Sequence, residues 1–133
     1  MKNELIILAR YRLSRARETY NDALKLLDEG SLNSAVNRFY YAAFYAARAL
    51  LATKELDSSK HSGVISLFNR HFVKTGAIEP EKAKVLKKSF EKRQDLDYED
   101  FVKITRSEVE GMKDKILEFI DKCEKLLEEL LKK

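Results

Sequence analysis

The residues best equipped for chemistry gather in one stretch, "SFEKRQDLDYED" at Ser89–Asp100, which holds Arg93, Asp95, Asp97 and Tyr98 without a glycine or proline. Arg93 follows Phe90 by three positions and Leu86 by seven, so a helix continued this far aims its guanidinium along the inward face. Two readings of that placement stand. In one, Arg93 pairs with Asp95 or Asp97 and closes a helix, whose last turn favours a cation. In the other, it holds a phosphate or a partner's carboxylate in a cleft, with Tyr98 beside it offering a ring and a hydroxyl. Asp95 and Asp97 alternate in a manner that also suits a turn.

A second group lies upstream. Arg38 is closely followed by Tyr40 and Tyr41, which places a cation and phenols on one helix. Lys60 and His61 stand together, and His61 precedes Ile65 by four, which tilts the imidazole toward the interior at a helix start. Core packing accounts for the tyrosines and a satisfied structural histidine for His61; phosphate recognition by Arg38, Tyr41, Lys60, His61 and Arg93 is the functional alternative. Arg48 interrupts the same apolar helix as Arg38, and burial of either requires a partner.

Several chemistries are excluded. Four unclustered glycines form no phosphate-binding loop. His61 and His71 lack the spacing and companion acids of a helical zinc site, and no metal or cofactor is expected. Cys123 is alone, which rules out an internal disulfide, and it falls among Ile120, Leu126 and Leu127 as a core residue. "MKNELIILAR" reads as neither signal peptide nor membrane span, so a cytoplasmic protein is expected.

The elements that must position these residues are helices. Apolar residues recur at three-and-four spacing from Glu4 to about Asp28, and Gly30 closes that helix. Ser31 is placed to cap a second helix, nearly apolar all round through "FYYAAFYAARALLA". Ser59 is expected to cap a short third helix, and Pro80 to begin a fourth that ends near Lys92. Thr105 and Glu108 spell a capping box before a long last helix. The expected fold is all-α: an antiparallel up-and-down four-helix bundle with a short additional helix. At 133 residues and 44% apolar content, one domain over residues 1–133 can bury roughly two-thirds of its unfolded surface. The net charge of +4 permits a nucleic-acid partner without demanding one. Arg10, Arg12, Arg15 and Arg17 split over both flanks of the first helix, as solvated surface or a dimer rim.

"SAVNRFYYAAFYAARALL" at Ser34–Leu51, "SKHSGVISLFNRHFVKTG" at Ser59–Gly76 and "KRQDLDYED" at Lys92–Asp100 together resemble the HEPN domain family of prokaryotes. They are most similar to its small stand-alone members encoded beside a minimal nucleotidyltransferase. The resemblance runs from about Leu5 to Leu127. It implies a helical bundle, commonly a homodimer, with a cleft where two copies of the fourth-helix motif approach. It also implies a toxin–antitoxin pairing. Many members are metal-independent ribonucleases that use an arginine, four to six intervening residues and a histidine. A base takes the proton of the RNA 2′-hydroxyl as it attacks its phosphate, while a cation stabilises the phosphorane. Arg93 matches the arginine, but Tyr98, Glu99 and Asp100 occupy the positions for the histidine. The motif reads Arg-x-x-x-Asp-Tyr, which leaves Asp97 as the nearest base. An aspartate is ionised at neutral pH and donates no proton unless burial raises its pKa. This departure favours a module that binds nucleotide, RNA or the nucleotidyltransferase over the alternative, a ribonuclease. Tyr98 is, by position, the tyrosine such a nucleotidyltransferase would adenylylate.

Overall fold

"FYYAAFYAARALLA" explains the centre of the molecule, because a helix apolar on nearly every side must be surrounded. A computed structural model describes residues 1–99 and 102–132 of the chain. Its long helices are α1 (Asn3–Asp28), α2 (Leu32–Ala52), α4 (Pro80–Tyr98) and α5 (Arg106–Leu131), with a short α3 (His61–Phe68) that runs into a π-helical turn at Asn69–Val73. Among the described residues there is no strand, and the fold is a helical bundle. α2 packs against α1, α3, α4 and α5. Its alanines, among them Ala35, Ala42, Ala43, Ala46 and Ala49, are fully buried and let the neighbouring backbones approach. Phe39 fills the gap toward α1, meeting Tyr20 edge to face at 5.4 Å. Phe119 of α5 meets Phe68 of α3 in the same way at 5.5 Å. Cys123 is wholly buried in this core, and burial pushes its thiol pKa up.

Two helices end by the same device with different residues. After α1, Ser31 N–H donates to the Leu26 carbonyl and Gly30 N–H to that of Leu27, with Gly30 at φ 81°. After α2, Leu56 N–H donates to Leu51 and Glu55 N–H to Ala52, with Glu55 at φ 57°. The left-handed position suits the glycine and strains the glutamate.

Expectation and structure part at two boundaries. Ser59 does not cap α3, which begins at His61 with Lys60 as its N-cap. The chain turns one residue earlier: Ser58 N–H donates to Asp57 Oδ1 and Lys60 N–H to Ser58 Oγ, which spends the local polar groups before the helix starts. Gly63 permits this turn, since a Cβ there would overlap Ser58 Oγ and lie 2.8 Å from Ser58 Cβ. The second correction is larger. α4 does not stop near Lys92 but continues through Tyr98, so the motif residues lie on the helix and not past it. No glycine or proline interrupts it, and an Arg93–Asp97 ion pair at i,i+4 spans the added turn. Ser31 occupies the N-cap of α2 without a side-chain cap bond, whereas the Thr105–Glu108 capping box of α5 forms in full. No helix among the described residues is long and apolar enough to cross a membrane.

Candidate functional site

On α2, Tyr40 and Phe44 lie one turn apart and turn their rings toward α3 and α4, while Tyr41 stands at their rim, half-buried. His61 opens α3 and enters this aromatic setting. Its ring stacks on Phe44 at 4.5 Å, meets Tyr41 edge-on at 5.6 Å, and lies 6.0 Å from Phe90 of α4. α4 adds Arg93, whose guanidinium carbon sits 5.5 Å from the Tyr40 ring centre and 5.4 Å from that of Tyr41. Arg38 approaches Tyr41 to 5.0 Å. Arg93 and Arg38 thus both rest against Tyr41, an arrangement that holds planar cations at low entropic cost.

The hydrogen bonds fix the state of His61. Tyr40 Oη lies 2.7 Å from His61 Nδ1, and Arg93 Nη1 lies 3.5 Å from the same nitrogen. A guanidinium only donates, so Nδ1 accepts, Tyr40 donates to it, and the neutral ring carries its proton on Nε2. Burial lowers the His61 pKa, and the charges of Arg93 and Arg48 lower it further. Burial raises the Tyr40 pKa more than Arg93 lowers it, so the phenol keeps its proton. His61 therefore presents an N–H, not a lone pair, away from Tyr40. It lines an open concavity of about 590 Å³ with Lys60, Arg48, Phe44 and Asp57.

Each arginine of the site has a local partner. Arg93 Nε donates to Asp97 Oδ2 at 3.2 Å, and its side chain is only 16% exposed. Arg38 donates to Asn37 Oδ1 at 3.0 and 3.2 Å. Arg38 and Asp97 together line a second concavity, beside Leu26 and Asn37. Arg48 Nη2 meets Asp57 Oδ2 at 2.9 Å, while its Nε is buried without a partner among the described residues. Arg12 approaches the same carboxylate at 3.6 Å and donates to the Arg48 carbonyl. Burial works to raise the Asp57 pKa, but bonds from Arg48 and Ser58 N–H outweigh it and hold the group below its ordinary value.

The structure thus brings Arg38, Tyr41, His61 and Arg93 into one cluster with Lys60 at its edge. Tyr98 is not part of it. Tyr98 is 77% exposed, and the rings that Arg93 rests against are those of Tyr40 and Tyr41. Asp97 is on the helix as the partner of Arg93, and Asp100 lies outside the described residues. Sequence reasoning singled out Tyr40 and Arg48 without assigning them to the site, and it missed Phe44 and Phe90 as walls. The aromatic i,i+4 pair on α2 was the available signal. Of the α1 arginines, Arg10 and Arg17 reach α5 from a partly exposed surface, where they bind Glu128, and Asp121 with Glu124.

With this geometry in view, likeness to known proteins becomes informative. The model of the HEPN domain matches residues 9–130. A Thermotoga maritima protein named "UPF0332 protein" is 45% identical over 128 residues, 96% of this chain and 97% of the relative. Two Methanocaldococcus jannaschii proteins are also similar. The one named "Putative toxin MJ0605" is 41% identical over 82% of this chain and 81% of its own length. The one named "Putative toxin MJ0142" is 32% identical over 86% and 78%.

Proposed function

This chain belongs to the HEPN family, and from that membership and the Arg93 cluster we propose that it is the HEPN component of a toxin–antitoxin pair that binds phosphate groups of RNA or nucleotide. The observation that carries the reading is the convergence of Arg93 and Arg38 on Tyr41, beside a neutral His61 that offers an N–H. A dianionic phosphate outcompetes the single carboxylate of Asp97 for Arg93, because it offers more charge and more acceptor oxygens. Tyr41 supplies a ring edge for a base or ribose. The protein works as one domain and as a homodimer, with a minimal nucleotidyltransferase as its cytoplasmic partner. Tyr98, exposed at the end of α4, is the hydroxyl that partner adenylylates.

Fluorescence anisotropy with a 5′-phosphorylated oligoribonucleotide tests the reading. Arg93→Ala is expected to weaken binding about tenfold or more, the scale of a lost charge-assisted bond, and Asp97→Asn to strengthen it. Equal affinity of wild type and Arg93→Ala would sink the proposal.

One observation favours a second reading, metal-independent RNA cleavage. The fold places an imidazole 3.5 Å from Arg93, although the motif lacks its histidine. In that reaction the 2′-hydroxyl loses its proton to a base, the O2′–P bond forms and the P–O5′ bond breaks, and the departing O5′ takes a proton from water, leaving a cyclic phosphate and a 5′-hydroxyl. His61 serves as that base only after its proton moves from Nε2 to Nδ1, against the bond from Tyr40 and the facing Arg93. Binding is therefore the stronger reading. Cleavage in EDTA by wild type, lost in Arg93→Ala and His61→Ala, would reverse that order.

A further inference from the structure

Beside the Arg93 cluster lies a third concavity, of about 600 Å³, between α3 with its π-turn and the middle of α4. Arg70, Lys74 and Lys87 line it, Ile65 and Phe90 contribute apolar surface, and among the described residues no carboxylate lines it. The ion pairs of α4 among the described residues are made by Lys84, Lys92 and Arg93, not by Lys87. Three like charges around one hollow repel one another and raise the local concentration of anions. The hollow adjoins the first site across a single side chain. Phe90 lines it and lies 5.6 Å from Tyr40 and 6.0 Å from His61, so one ring separates the two sets of cations.

We infer that this hollow is a second subsite, which receives the backbone of single-stranded RNA next to the phosphate held at Arg93. The inference rests on the binding reading above and specifies its ligand as an extended strand, not a mononucleotide. Lys87 and Arg93 are six residues apart on α4, about 9 Å along the axis, so a ligand that meets both must be longer than one phosphate. Apolar surface from Ile65 and Phe90 between cations suits the face of a base, which a single strand offers and a duplex keeps stacked inside. An acidic protein segment would meet the cations and gain little from a flat apolar surface set between them.

The test compares wild type with Lys74→Gln/Lys87→Gln, two exposed changes that leave the core intact. The probes are a labelled 2′-O-methyl oligouridylate, which cannot attack its own phosphate, and uridine monophosphate as competitor. The double variant is expected to bind the oligonucleotide roughly tenfold more weakly at low salt. Its slope of log affinity against log salt should be shallower by about 1.4, two lost phosphate contacts on a single strand. Its affinity for uridine monophosphate should be unchanged. An unchanged slope in the double variant, with binding lost in Arg93→Ala, would overturn the subsite and leave the Arg93 reading standing. No binding of either probe to wild type would overturn both. A duplex bound as tightly, with the same lysine dependence, would overturn the single-strand assignment. Lysine-dependent capture of the nucleotidyltransferase with RNA affinity unchanged would make the hollow a protein-docking surface instead.

Discussion

His61 is neutral at pH 7 because three features act in one direction: burial among Phe44, Tyr40 and Phe90, and the charges of Arg93 and Arg48. A histidine whose folded pKa is lowered binds protons less readily in the folded state than in the unfolded one. Stability is therefore full above the ordinary value of 6.5 and falls as pH drops from there toward the lower folded pKa. Melting temperatures measured from pH 7.5 to 5 should fall for wild type and stay flatter for His61→Phe. Equal slopes would show that His61 does not carry the effect. The Arg93–His61 pair was hidden in the sequence because the two residues are 32 positions apart and the histidine precedes the arginine. A motif reading searches after Arg93 on the same helix. The aromatic setting of Arg93 was hidden for a related reason: Tyr98 is its neighbour in sequence and is exposed, while the rings it rests against come from α2, more than fifty positions upstream.

Among the elements, helix interiors were legible and ends were less so. The three-and-four spacing of α1, α2 and α5 states their buried faces directly, and Thr105–Glu108 marks a start by two reciprocal bonds. The end of α4 carries no such mark. Its last turn is polar, with Leu96 half-buried and Asp95, Asp97 and Tyr98 exposed, so hydrophobic periodicity fades before the helix does. Glu55 gives the clearest prediction at this scale. It takes the left-handed position that Gly30 takes after α1, and its one ion pair among the described residues, with Lys2 at 3.9 Å, is exposed and weak. Glu55→Gly should raise stability by about 0.5–1 kcal/mol, since removing the Cβ relieves more strain than the unfolded chain gains in freedom. The denaturant midpoint reads this directly, and an unchanged or lower midpoint would show that Glu55 is not strained.

For the whole molecule, the question is whether apolar packing or the arginine ties hold the bundle together. Phe119 is fully buried against Phe68, so Phe119→Ala should cost about 3–5 kcal/mol, transfer and cavity together. Arg10 joins α1 to α5 through Glu128, yet the pair is about half exposed, and Arg10→Ala should cost under about 1 kcal/mol. Urea denaturation of both variants checks the contrast, and comparable losses would show that ion pairs share the load. The π-turn at Asn69–Val73 has a consequence of its own. A π-turn carries one residue more than an α-turn, so it acts as a phase shifter between Phe68 and the loop that leads to α4. Deleting a single residue there would return the turn to ordinary winding at about 100° per residue, and the narrower turn would absorb the loss, so the chain beyond it would keep its direction. A deletion within His61–Phe68 has no such buffer and would rotate the charges that follow by about 100°, so the π-turn is the one place in this stretch where length can change while the positive surface stays put.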